Sequence, residues 1–303
     1  MVVQESCDGG RMVHKINNYA MIAKIDTVGA ELISLKDRVG REYIWQGHPD
    51  SWGGHSPILF PICGSLRNDQ AQLSNGKTAS LPRHGFARKL PFTCDFSGDG
   101  KAQFTLSSTQ DTLKSYPFPF SLTVQHVLSG GSICTSYRVT NIGTEDMPFF
   151  IGGHPGFCCP MEEACHYNDY LLEFEHEESC SIPESITATG LIDIGSRREL
   201  LKRSKSLPIS HELFDQDAII LDNIRSRRVK LIHKDRTHGV ELEFYDFPYL
   251  ILWSNNSGDF VAIEPWTGLS TCSDEDDQFE KKRNVMILPP GESKTYSYRI
   301  TLL

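Results

Sequence analysis

Short runs of β-forming residues, each cut off by a turn, cover this chain from end to end, and that repetition rules out most architectures. Residues 19–25 and 31–35 frame a Thr27-Val28-Gly29 turn. Residues 120–127 and 133–139 flank Ser129-Gly130-Gly131-Ser132, the clearest hairpin signal in the sequence. Leu122 and Val124 on the outgoing leg, with Cys134 and Ser136 on the return, read as one buried face and one wet face. Further strands are expected at 170–174, 218–221, 229–233, 240–245, 250–253, 260–263 and 296–302, the last re-entered through Pro289-Pro290-Gly291-Glu292. Helical periodicity longer than two turns is absent, and 208–213 is expected to make one short turn of helix. Many short strands with Gly/Pro turns specify a sandwich or barrel.

Nothing in the composition splits the chain, so residues 1–303 are expected to form one β-sandwich domain. Segment 197–206 is basic and polar, and 273–283 runs from acidic to basic; both are expected to be exposed loops. A net charge of −9 argues against a nucleic-acid or anionic-membrane partner, which would demand basic patches. The first thirty residues carry no signal peptide, and no apolar run approaches a membrane span, so a cytoplasmic location is expected. Nine cysteines, an odd number without regular spacing, do not form a complete disulfide framework. Cys158, Cys159, Cys165 and His166 are the only grouping that suggests zinc. Without a Cys-x-x-Cys pair it is read as buried or idle thiols, with no metal and no cofactor.

Three runs carry chemistry. His84 sits in Leu81-Pro82-Arg83-His84-Gly85-Phe86-Ala87-Arg88, His154 in Ile151-Gly152-Gly153-His154-Pro155-Gly156-Phe157, and Glu264 in Val261-Ala262-Ile263-Glu264-Pro265-Trp266-Thr267-Gly268. Each sets an ionisable group beside an aromatic ring, on a backbone fixed by glycine or proline. Pro155 and Pro265 cannot donate to a ladder, so all three groups are expected at strand ends or edges, open to a cleft. Interconverting sugar anomers needs a base for the C1 hydroxyl proton and an acid for the ring oxygen. A carboxylate suits the first and an imidazolium the second, which makes Glu264 the base and His84 or His154 the acid. Trp266 either stacks on the sugar or packs inward to brace Glu264. Its two-residue offset along a proline-bent strand favours bracing.

The same runs, with Pro57-Ile58-Leu59-Phe60-Pro61-Ile62-Cys63-Gly64 before them and Leu288-Pro289-Pro290-Gly291-Glu292 near the end, resemble the aldose 1-epimerase (galactose mutarotase) superfamily, and its LacX-like branch in particular. The resemblance covers nearly the whole chain. It implies an all-β fold, a large antiparallel β-sandwich of the galactose mutarotase-like (supersandwich) type whose concave face holds the sugar. It implies Glu264 as general base, His154 as general acid and His84 near the ring oxygen. Asp217 matches the aspartate that binds sugar hydroxyls, with Asp215 as the alternative in a loose register. Relatives carry an arginine where this chain has Ser65; Arg67 is the candidate substitute, and Arg88 a further contact. Hexose-6-phosphate epimerases place an arginine just before a Gly-Gly-x-Pro run, where this chain has Trp52.

The function implied is an isomerase acting on a free hexose. The partner is a small-molecule sugar, the chain a monomer or weak homodimer. Two other readings stay open: a non-catalytic or regulatory carbohydrate-binding protein, and a hexose-6-phosphate 1-epimerase.

Overall fold

The computed structural model describes residues 4–7 and 11–303, with side chains from residue 11 onward. Its regular structure is mostly strand, and every strand pair described is antiparallel. The largest sheet has nine strands, in the spatial order Leu191–Pro208, Tyr170–Ile186, Arg228–His233, Gly239–Glu243, Ser293–Leu302, Ser132–Asn141, Phe120–Ser129, Lys101–Ser107 and Thr93–Gly98. Its hairpin around Gly130-Gly131 is the one legible in the sequence, in register Leu122↔Val139 and Val124↔Tyr137. Leu122 and Val124 are buried with Ile133 and Tyr137, while Cys134 and Ser136 lie on the half-exposed face, as period-two alternation requires.

A six-stranded sheet carries Ile219–Leu221, Tyr249–Trp253, Phe260–Trp266, Gly152–Gly153 and Ile58–Leu59 in that order, with Gly156–Cys158 also paired to Phe260–Trp266. The Phe260–Trp266 strand is buried along its whole length, the mark of a strand covered on both faces. The two sheets meet at Gly153, where a Cβ would stand 2.8 Å from the Tyr298 ring and 3.1 Å from the Tyr137 hydroxyl. Buried side chains of both sheets belong to one contiguous apolar cluster. A four-stranded sheet, Gln4–Cys7 to Glu31–Asp37, begins the chain.

Three local expectations are corrected. Segment 197–206 is not a loop but part of the Leu191–Pro208 strand, hydrogen-bonded to Tyr170–Ile186 with several bulges. It forms the edge of the nine-stranded sheet, and its exposed Arg and Lys side chains are what protects an edge from pairing with another chain. The helical turn expected at 208–213 is a 3₁₀ turn at His211–Phe214. Segment 273–283 is exposed only in part: Phe279 is buried, and Glu275 and Lys282 form a pair at 2.9 Å whose side chains are almost wholly buried. Among the described residues no helix is long and apolar enough to cross a membrane.

Candidate active site

Glu264 stands in the middle of the most buried strand, not at its edge. Tyr249–Trp253 pairs with that strand continuously on one side, Ile251 opposite Glu264. On the other side the pairing is broken: Gly152 pairs with Trp266, and residues 156–158 pair with 260–262. His154 and Pro155 fill the break. Pro265, which has no N–H to offer, sits at the interrupted stretch, so no ladder donor is left orphaned there. Proline thus marks a gap inside the sheet, and the gap is where His154 reaches Glu264.

His154 Nε2 and Glu264 Oε2 are 3.2 Å apart, and both side chains are buried. Burial pushes the Glu264 carboxyl well above the usual range and outweighs the opposing pull of Arg83, the Trp266 hydrogen bond and Arg88. Burial pushes His154 down to about 3, with Arg88 and Arg83 adding to the effect. Both shifts penalise charge, so burial favours the neutral form of each group. Trp266 Nε1 donates to the same Glu264 Oε2 at 3.2 Å, and the Trp266 ring is buried against His84, centroids 5.3 Å apart. Trp52 and Trp253 bracket the His154 ring at 4.7 and 5.7 Å.

His84 adopts a left-handed backbone, φ 68°, a conformation uncommon outside glycine that Asn, Asp and His adopt more readily than other residues. Its own N–H donates to the Gly64 carbonyl at 2.8 Å, and its Nδ1 accepts from the Gly64 N–H at 3.1 Å. The following Gly85 is also left-handed, and a Cβ on it would lie 2.1 Å from the Phe60 carbonyl oxygen. The Arg83 Nε–H is directed at the other ring nitrogen, Nε2, at 3.4 Å, so both nitrogens of the ring face donors. Burial lowers the His84 pKa well below the ordinary imidazole value, helped by His154, Arg88 and Arg83. The two histidine rings stand edge to face, centroids 5.7 Å apart.

These groups line a cleft of about 220 Å³. Its size suits a single sugar ring, and its walls combine indole faces with a few convergent polar groups. Asp217, also left-handed at φ 71°, lines it; Asp215 does not, and instead accepts from Asn256 at the surface. Arg88 lines it as expected. Arg67 does not: its guanidinium is tied to Asp277 at 2.7 Å and to the Glu275 carbonyl, outside the cleft. The arginine near Ser65 is Arg83. A Cβ on Gly190 would lie 2.9 Å from Ser65 Oγ and 3.1 Å from Arg83 Nη1, so the small Ser65 and the Arg83 guanidinium share one neighbourhood. Arg83, Trp52 and Trp253 are cleft residues that sequence reading missed. Arg83 was signalled only by its place beside His84.

Among the described residues Cys158, Cys159, Cys165 and His166 do not converge as one ligand set. Cys158 and Cys159 donate to the carbonyls of Ile44 and Tyr167. Donor atoms of Glu162, Cys165 and His238 do lie within 4.8 Å of one another, away from the cleft. Glu162 is engaged by Arg41, and both His238 nitrogens are hydrogen-bonded, to Tyr170 and Thr237.

Residues 12–301 match the family described as aldose 1-epimerase. The plasmid-borne protein LacX of Lactococcus lactis subsp. lactis is 44% identical over 298 residues, spanning 96% of this chain and all of that one. A galactose mutarotase related enzyme from Lactobacillus acidophilus superposes with a TM-score of 0.90 at 30% identity, covering 96% of this chain and 97% of its own. A galactose mutarotase-like protein from Lactobacillus casei gives 0.88 at 32% identity, over 96% and 100%. With its antiparallel sheets, its cleft and its sequence in agreement, the chain belongs to the aldose 1-epimerase family.

Proposed function

We propose that the protein is an aldose 1-epimerase, interconverting the α and β anomers of a hexose by acid–base ring opening and closure. The observation that carries this reading is the 3.2 Å contact between His154 Nε2 and Glu264 Oε2 inside a cleft sized for one sugar ring. Two groups sharing one proton are what the reaction consumes and regenerates. With sugar bound, Glu264 as the carboxylate takes the proton from the C1 hydroxyl. The C1–O5 bond breaks with its electron pair going to O5, and His154 as the imidazolium protonates O5. The open aldehyde rotates about C1–C2, and the ring recloses on the other face with the proton roles reversed. Each group contributes roughly 10²–10⁴-fold.

His84 has a different part. Held at both ring nitrogens by the Gly64 and Arg83 N–H groups, it is suited to position the sugar and not to deliver a proton. Trp266 holds the Glu264 carboxyl, and Asp217 and Arg88 offer hydroxyl contacts. Polarimetry of freshly dissolved α-galactose and α-glucose tests the reading: catalysed equilibration is expected. Binding of either sugar without catalysis would make the protein a carbohydrate-binding module instead.

A further inference from the structure

A histidine that moves protons is usually oriented by a hydrogen bond on its second ring nitrogen. His154 lacks that support. Its Nδ1 is buried, no other described residue offers it a partner, and only the backbone of His154 itself touches it. What meets the ring instead is aromatic. The Trp52 indole lies against it at a centroid distance of 4.7 Å, tilted by 33°, while Trp253 and His84 approach edge to face at 5.7 Å. The indole itself is closely seated. A Cβ on Gly156 would stand 2.5 Å from Trp52 Cζ3, and one on Gly54 would stand 2.7 Å from Cζ2, so glycine at both positions leaves room for the ring. Phe260 and Trp253 pack on it at 5.2 and 5.5 Å. Backbone bonds tie its loop to the His154 segment: the His154 N–H donates to the Pro57 carbonyl at 3.0 Å, and the Gly156 N–H to the His55 carbonyl at 2.8 Å. Buried Glu31 accepts from the His55 and Ser56 N–H groups at 2.8 and 2.9 Å, and Trp45 Nε1 donates to the Trp52 carbonyl at 2.7 Å. Two segments far apart in sequence thus set indole and imidazole against each other.

We infer that Trp52 is a positioning residue for the acid–base pair. Its indole takes the place of the missing hydrogen bond on Nδ1, holding the imidazole on Glu264 and stabilising the imidazolium that protonates the ring oxygen. An indole face within about 6 Å of a cation attracts it, most strongly where water is excluded. The other charges around His154 pull both ways: Glu264 favours the cation, Arg83 and Arg88 disfavour it, and Asp217 lines the same cleft. In this role Trp52 acts through His154 and touches no reacting atom. The inference rests on the acid–base reading of Glu264 and His154.

The test compares wild type with Trp52→Leu and Trp52→Phe through kcat, KM and their pH dependence, with fresh α-galactose followed by polarimetry. Leucine keeps apolar bulk and removes the π face; phenylalanine keeps a weaker one. Trp52→Leu should lose about tenfold or more in kcat while KM changes far less. Its acid limb should also move to lower pH by about one unit, because the second proton charges an imidazole that has lost its support. Trp52→Phe should fall between the two, and it carries the test if the leucine protein does not fold. A raised KM at unchanged kcat would overturn the inference by making the indole a sugar platform. So would a loss of kcat with the acid limb unmoved, the result of packing alone. Should wild type equilibrate no sugar, the epimerase reading fails separately. The titration of His154 then decides, read from the imidazole NMR signal that vanishes in His154→Asn: a lower midpoint in the Trp52 variants than in wild type supports the inference, and an equal one refutes it.

Discussion

His84 and His154 are the same side chain made into different groups by what touches them. The Gly64 and Arg83 N–H groups are directed at the two nitrogens of the buried His84 ring, whereas His154 Nε2 faces a carboxyl oxygen at 3.2 Å. Replacing each by Asn should therefore give unequal losses. His154→Asn removes the acid and should lower kcat by about 10²–10⁴-fold. His84→Asn removes one hydrogen bond, about 0.5–1.5 kcal/mol or up to roughly tenfold, and raises KM. Asn tolerates the left-handed backbone at position 84, so the fold should persist. Steady-state kinetics on both variants decides, and equal losses in kcat would remove the distinction. Trp266→Phe keeps a buried ring but deletes the N–H on Glu264 Oε2. It should depress kcat more than it raises KM, because a misplacement near ~1 Å can cost about 10²-fold. A raised KM at unchanged kcat would mean that the indole serves as a sugar platform.

Between residue and fold stand the elements that aim these side chains, and here the sequence was informative about existence more than about placement. Strand after strand was legible from alternation and turns, and the hairpin at Gly130-Gly131 was found in register. Glu264, His154 and His84 were legible because glycine, proline and aromatic residues frame them. Their expected position at strand edges was not right for Glu264, because proline signals a missing ladder bond without saying whether the partner strand ends or merely breaks. Segment 197–206 misled for a related reason: an edge strand guarded by charge has the composition of a loop. Arg67 was chosen on nearness in sequence to Ser65. The residue that comes close in space is Arg83, set beside Ser65 by the hydrogen bonds between neighbouring His84 and Gly64, a long-range pairing that no local pattern announces. The left-handed Gly85 is a sharp test of how the His84 loop is held. In Gly85→Ala the new Cβ would stand 2.1 Å from the Phe60 carbonyl oxygen, so the loop must move. The variant should lose more than about 1 kcal/mol in thermal or urea unfolding, with KM raised through His84. A variant as stable and as active as wild type would show that the loop is not set by that contact.

At the scale of the whole molecule, burial of the site governs its response to pH. The working pair carries one proton. A second requires charging His154, which burial resists, so the acid limb should lie below the ordinary imidazole value. Losing the last proton leaves a buried carboxylate beside a neutral ring, so the alkaline limb should lie well above the ordinary carboxylate value. A profile of kcat/KM against pH should therefore be broader than unshifted groups would give, with its acid limb moved down and its alkaline limb moved up, and limbs at the ordinary carboxylate and imidazole values would contradict it. The same burial sets a stability cost. A carboxyl whose folded pKa is raised contributes stability that is complete below its unfolded value and is lost as pH rises through the folded one. Glu264→Gln, unable to ionise, should thus match or exceed the wild-type Tm at neutral and alkaline pH. Its amide oxygen, set at the Oε2 position, can still accept from Trp266 and face His154 Nε2. That makes this variant the direct probe of the central claim, that Glu264 and His154 together open the sugar ring. The decisive measurement is the polarimetric equilibration rate of fresh α-galactose with wild type and with Glu264→Gln. Wild type should accelerate it, and the folded variant should lose about 10²–10⁴-fold in kcat; a folded Glu264→Gln protein that equilibrates the sugar at the wild-type rate would contradict the account.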